Sequence, residues 1–149
     1  MPLNLLFVFK VEESEIKKIE IFDSSFFSLN ILESTKCNQE IEDYFHHYFQ
    51  GIKKTLPLKR FFSPFATKVY DFLEASPIGK TYTYKQVAEQ IGCPKGYRAV
   101  GNSLNKNPFP LAIPCHQVIS NKDLGGFAFG KRVKEKLLVF EKDLSLART

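Results

Sequence analysis

Arg98-Ala99-Val100-Gly101-Asn102-Ser103-Leu104-Asn105-Lys106-Asn107-Pro108-Phe109-Pro110-Leu111-Ala112-Ile113-Pro114-Cys115-His116 is the stretch that decides how this chain is read. Its first part continues a helical pattern begun at Tyr97, with Tyr97, Val100, Gly101 and Leu104 at i, i+3, i+4 and i+7. Asn107-Pro108 stops that helix, because proline disfavours the helical conformation of the residue before it and has no N–H to offer. A Pro-rich apolar run follows to Ile119 and sets Cys115 beside His116 behind the rigid Pro114. A thiol paired with an imidazole can lose its proton at neutral pH, and the thiolate is the nucleophile.

Working outward, Thr83-x-x-Gln86 is a capping box, and Tyr84, Val87, Ala88 and Ile91 line one helical face before Gly92. The turn Gly92 to Gly96 then joins this helix to the Tyr97 helix, a helix-turn-helix pattern. The outer face of the second helix carries Arg98, Ala99, Asn102 and Ser103 beside Gly101. Small side chains there suit close approach of the helix to a widened minor groove, with Arg98 inserted into the base stack. They equally suit tight packing against another helix, and both readings stand at this point. On the far side, Gly125-Gly126 marks a turn, and a helix is expected from about Lys131 to Glu141.

The rest of the chain supplies the frame. Leu5 to Phe9, Lys18 to Phe22 and Phe26 to Leu32 read as short strands rich in Phe, Ile and Leu. Ile41, Tyr44, Phe45, Tyr48 and Phe49 form an amphipathic helix stopped by Gly51. Residues 51–60 read as a basic linker, and Ser63-Pro64 caps a helix whose buried stripe is Phe65, Val69, Phe72 and Leu73. His46 and His47 are adjacent, about 100° apart on a helix, and cannot share a face as metal ligands would. No Cys/His set has zinc spacing, so neither a metal nor another cofactor is expected.

Charge is divided unevenly. Residues 1–60 carry 8 Lys and Arg against 9 Asp and Glu, whereas residues 61–149 carry 13 against 7. The basic excess lies in the half that holds the motifs, as a phosphate-binding surface requires. With 15 Phe and no Trp, the core is built on phenylalanine packing. Three widely spaced cysteines, Cys37, Cys93 and Cys115, imply no disulfide framework and fit a reducing compartment. Cys37 in a polar loop and Cys93 in the turn have no activating neighbours. Without a membrane-length apolar run or a secretory signal pattern at Met1 to Lys10, a cytoplasmic, monomeric protein is expected.

Over about residues 61–149 the chain resembles the O6-alkylguanine-DNA alkyltransferases, or methylated-DNA–protein-cysteine methyltransferases. The residues that carry the resemblance are Gly79-x-Thr81-x-Thr83-Tyr84-x-x-Val87-Ala88, Arg98-Ala99-Val100-Gly101, Asn107-Pro108, Ile113-Pro114-Cys115-His116-x-Val118-Ile119, Leu124-Gly125-Gly126 and Leu137-Leu138-x-x-Glu141. The resemblance implies an α+β fold in two lobes. Residues 1–55 would form a small sheet-and-helix lobe, an RNase H-like remnant. Residues 61–149 would form a mostly helical lobe with a winged-helix-like helix-turn-helix.

It also implies a single-turnover reaction on double-stranded DNA containing O6-alkylguanine. The helix-turn-helix would bind the minor groove, the damaged base would flip out, and Arg98 would take its place. Tyr84 would crowd the neighbouring phosphate and donate to guanine N3. Cys115 would accept the alkyl group, His116 would take the thiol proton through a water, and Glu141 would orient the histidine. Asn107 would act as a hinge. Leu124, Gly125, Gly126, Phe127, Ala128 and Phe129 would wall the guanine pocket, and Lys134 would cap part of it.

Three positions depart from the family pattern. Gln117 stands where Arg is usual, Phe127 where Tyr is usual, and Phe129 where many members have Gly. Gln117 is expected to lower local stability and leave the chemistry intact, and the Phe129 ring to favour methyl over benzyl adducts. The rival readings are an alkyltransferase-like damage sensor without an acceptor, a helix-turn-helix regulator with a structural cysteine, and a Cys-His hydrolase.

Overall fold

Glu13 and Ser14 both take positive φ, 52° and 67°, and so close a two-residue turn of the kind that matches strand twist. They join β1 (Leu5–Glu12) to β2 (Glu15–Asp23) as an antiparallel hairpin. The register shifts between Lys10 and Val11, so that Val11 faces Ile16 while Phe9 faces Ile19. That bulge explains why Ile16, Ile19 and Ile21 are all buried although 16 and 19 break the two-residue alternation. The computed structural model describes residues 4–23 and 38–147. The strand expected over 26–32 and Cys37 lie outside the described residues.

Helix α1 (Asn38–Tyr48) covers the hairpin with Ile41, Tyr44, Phe45 and Tyr48. Phe45 sits 5.0 Å from the Phe7 ring and 6.0 Å from the Phe9 ring. The segment 51–60 is not the linker its composition suggests. Leu56 and Leu58 alternate inward and are buried, and Leu58 forms a parallel bridge with Ile16. Ile16 donates its N–H to the Pro57 carbonyl at 2.7 Å, and Lys59 donates to the Ile16 carbonyl at 2.8 Å. Lys54, Lys59 and Arg60 of this segment are exposed, and Arg60 forms a two-pronged ion pair with Glu74 at 2.5 and 2.7 Å.

Helix α2 (Pro64–Glu74) starts as its Ser63-Pro64 pair requires, with the Ser63 hydroxyl accepting from the Ala66 N–H. β3 (Tyr82–Thr83) leads into α3 (Tyr84–Gln90), where Thr83 and Gln86 complete the reciprocal capping box. A short turn then gives α4 (Tyr97–Asn105). After a 3₁₀ turn, Cys115–Gln117, β4 (Val118–Ile119) pairs in parallel with β3. The last element among the described residues is α5 (Lys131–Ala147), which runs past Glu141, where the sequence pattern placed its end.

This is an α+β fold of two small sheets and five helices among the described residues. No helix among them is long and apolar enough to cross a membrane. The hairpin docks directly on the Pro-rich segment, because Ile19 donates its N–H to the Pro108 carbonyl at 2.8 Å.

Candidate active site

Asn107 organises the segment that carries the cysteine. Its amide donates to the Ile113 carbonyl at 2.9 Å and its amide oxygen accepts the Phe109 N–H at 3.0 Å. Only a side chain with one donor and one acceptor end closes both contacts, so Asp or Leu leaves a buried main-chain group unpaired. Within this loop Leu111 holds φ at 76°, a strained value for a side chain of its size, and is buried all the same. The Tyr44 hydroxyl from α1 donates to the Leu111 carbonyl at 3.4 Å. Packing on both sides therefore keeps the strained turn in place.

Cys115 emerges from this loop only 6% exposed. Burial pushes its thiol up to about 11, and the hydrogen bond from Asn107 and the charge of Lys134 offset only part of that. The resting group at neutral pH is a thiol, so its proton must leave before or during attack. The physical reason is that removal from water penalises the anion more than the Asn107 hydrogen bond and the Lys134 charge repay.

His116 is 0% exposed and places Nε2 2.8 Å from Glu141 Oε2. Burial alone would raise Glu141, but the charge and hydrogen bond of His116, the Tyr48 hydroxyl and the Lys53 charge outweigh it and hold the carboxyl below its usual value. An ionised carboxylate only accepts, so Nε2 must carry the imidazole proton. That leaves Nδ1, which is buried without a hydrogen-bond partner among the described residues, as the basic nitrogen.

Tyr84 opens α3 half-buried. Its hydroxyl accepts the Gly126 N–H, and burial raises its pKa above the usual phenol value, so the phenol keeps its own proton to donate. The loop opposite begins with a turn in which the Ser120 hydroxyl bonds the Asp123 carboxylate at 2.8 Å, and that carboxylate accepts the Gly125 N–H at 2.8 Å. Gly125 has φ of 75°, and a Cβ there would lie 3.0 Å from the Tyr84 hydroxyl and 3.2 Å from the Ser120 nitrogen. A side chain at 126, by contrast, would meet nothing. Leu124, Gly125, Phe127 and Phe129 are half-buried, Gly126 and Ala128 are exposed, and the Phe127 and Phe129 rings lean together at 5.7 Å.

Lys134 is fully buried, and its ammonium reaches the carbonyls of Val118 at 2.5 Å and Gly126 at 3.0 Å. It thereby ties the 124–129 loop to β4. Burial draws its ammonium down to about 8.

On α4, Arg98, Ala99 and Asn102 are exposed, and Gly101 faces the Tyr84 ring with room for a methyl group. Ser103 does not join that face. It is 9% exposed on the inward stripe with Val100 and Leu104, and its carbonyl accepts the Tyr70 hydroxyl at 2.5 Å. Tyr97, assigned to the inward stripe from its spacing, is 47% exposed. The helix is rotated so that Val100, Ser103 and Leu104 meet the core, and the polar character of Ser103 hid this from a reading by hydrophobicity. The structure thus brings Cys115, His116, Glu141, Asn107, Tyr84 and the 124–129 loop around one place, with Arg98 on the adjoining exposed helix face.

The model of the domain described as 6-O-methylguanine DNA methyltransferase, DNA binding domain, matches residues 64–143. The chain belongs to this family. A methylated-DNA–protein-cysteine methyltransferase of Methanosarcina acetivorans is 38% identical over 130 residues, covering 84% of this chain and 78% of the relative. One from Saccharolobus islandicus is 35% identical, covering 80% and 83%. In fold, the chain matches the Mycobacterium tuberculosis OGT crystallised in complex with DNA, with a TM-score of 0.72 at 24% identity over 94% of this chain and 93% of that one.

In this member of the methyltransferase family, Gln117 is buried and donates to the Pro77 carbonyl at 3.0 Å, while its amide oxygen is buried without a hydrogen-bond partner among the described residues. Two further residues reach the site without any motif to announce them. The Tyr48 hydroxyl donates to Glu141 Oε2 at 2.6 Å, and the Lys53 ammonium bonds the Leu73, Glu74 and Ser76 carbonyls near that carboxylate. The one sequence signal for Tyr48 is a phenol on a buried helix stripe, whose hydroxyl needs a partner.

Proposed function

We propose that this protein repairs O6-alkylguanine in double-stranded DNA by moving the alkyl group irreversibly onto the sulfur of Cys115, once per protein molecule. The observation that carries this reading is the buried Cys115-His116 pair on the segment after α4, with His116 bonded to Glu141 of α5 at 2.8 Å, inside the part that matches the family. The exposed Arg98, Ala99 and Asn102 face with Gly101 would enter the minor groove, and Arg98 would fill the space of the flipped base. We read α3, α4 and the short β3–β4 pair as winged-helix-like, and the hairpin with α1 as an RNase H-like remnant. In the same reading residues 1–55 and 61–149 are the two lobes of a cytoplasmic monomer.

Chemically, the thiol proton passes through a bridging water to His116 Nδ1 as the sulfur attacks the alkyl carbon in line. The sulfur–carbon bond forms, the bond from carbon to O6 breaks, and its electron pair leaves with guanine. Tyr84 offsets that charge by donating at N3, since its phenol is held as a donor. Glu141 stabilises the imidazolium, and its proton then passes back through water to the departing guanine, so that thiol and O6-alkylguanine become thioether and neutral guanine. The Phe127 and Phe129 pair narrows the pocket mouth, which favours methyl over benzyl adducts.

A turnover experiment tests the reading. Duplex carrying O6-methylguanine, added in excess, is restored to plain guanine up to one base per protein chain and then no further. Continued restoration would indicate a true catalyst, and none at all would indicate a sensor.

A further inference from the structure

Glu141 hangs on a single oxygen. Oε2 accepts both the His116 Nε2–H at 2.8 Å and the Tyr48 hydroxyl at 2.6 Å, whereas Oε1 is buried without a hydrogen-bond partner among the described residues. Tyr48 is 3% exposed, and its ring is fixed between Tyr44 at 6.1 Å and Phe140 at 5.7 Å. Packing therefore fixes where its hydroxyl points. We infer that Tyr48, contributed by α1 from outside the matched domain, is a positioning residue that sets the basicity of His116 through Glu141. The inference rests on the reading of Cys115 as the alkyl acceptor and His116 as its base.

A hydroxyl bonded to Oε2 spreads the carboxylate charge and weakens its hold on the imidazole proton. Without that hydroxyl, the same charge bears on His116 alone, and the His116–Glu141 pair takes up its proton at higher pH. The other titratable groups around Glu141 are Lys53 from the segment after α1, Tyr44 on α1 and Cys115 beside His116. Lys53 is held by three carbonyls at the end of α2, and burial keeps Tyr44 protonated, so neither substitutes for the Tyr48 hydroxyl.

The test is the pH dependence of the single-turnover transfer rate, measured on native protein, Tyr48→Phe and Tyr44→Phe. Tyr48→Phe moves the acid limb upward by about half to one pH unit, a loss of roughly 3- to 10-fold on the acid side with a nearly unchanged plateau. Tyr44→Phe removes a hydroxyl from the same stripe and leaves the limb in place, whatever it does to the melting temperature.

If Tyr48→Phe fails to fold, 3-fluorotyrosine at position 48, a more acidic donor of nearly the same shape, moves the limb downward instead. A limb that coincides with that of native protein in the Tyr48 variants overturns the inference. An independent readout is the ¹⁵N titration of the His116 imidazole in DNA-free protein, which shifts in the same direction without any alkyl transfer. Absence of transfer by native protein overturns the acceptor reading, and this titration still decides whether Tyr48 acts on His116.

Discussion

Two neighbouring segments build the site by opposite means. From Asn107 to Val118 nearly every residue is buried, and main-chain bonds, the Asn107 clamp and the docked hairpin fix the backbone. From Ser120 to Gly130 most residues are exposed or half-buried. That loop is held by a few polar contacts, namely the Ser120–Asp123 turn, the Tyr84 hydroxyl and the Lys134 ammonium. The nucleophile is thus part of the core, and the substrate wall is a loop pinned at points. Position and protonation of Cys115 should respond to core changes, and substrate range to loop changes.

Breaking the clamp gives the largest effect. Asn107→Leu keeps the branched shape but orphans the Ile113 carbonyl and the Phe109 N–H, a loss of about 2–4 kcal/mol in urea unfolding, with transfer falling alongside. A change under about 0.5 kcal/mol, the usual size of a surface substitution, would show that the clamp is dispensable.

The second prediction concerns protonation. Burial raises Cys115 to about 11, so its reaction with iodoacetamide in DNA-free protein climbs with pH toward that value. A plateau below about pH 9, where an ordinary thiol titrates, contradicts a core-buried nucleophile. The sign for stability follows. A thiol raised on folding contributes fully below its unfolded value near 8.5, and that contribution is lost as pH rises through about 11.

The smallest effect belongs to the loop. Lys134→Met removes the ties to the Gly126 and Val118 carbonyls and costs about 1 kcal/mol, because a desolvated charge leaves together with its hydrogen bonds. Amide exchange at 124–130 should quicken while exchange at 107–117 stays unchanged. Equal acceleration in both segments would show that they are not separately held.

How much of this was legible follows from where the signals lie. The capping box at Thr83, the Ser63-Pro64 start of α2 and the proline stops after Asn107 are local, so sequence alone located those elements. The Cys115-His116 pair was legible because its members adjoin. Tyr48 and Lys53 were not, since the hydroxyl of one and the charge of the other come near Glu141 only after the chain has folded across 93 and 88 positions. The 51–60 segment misled because its lysines outnumber the two leucines that bury it, and Ser103 misled because a small hydroxyl reads as surface. The thiol state depends on desolvation, which spacing does not reveal.

The central claim is that the sulfur of Cys115 keeps the alkyl group. The most direct measurement is intact-protein mass spectrometry after mixing with a duplex containing O6-methylguanine, alongside Cys115→Ser. A gain of one methyl per native chain, mapped to the peptide holding Cys115 and absent from the variant, is the predicted result. Tight binding to the damaged duplex with no mass gain would contradict it and make the protein a reader of the lesion rather than its acceptor.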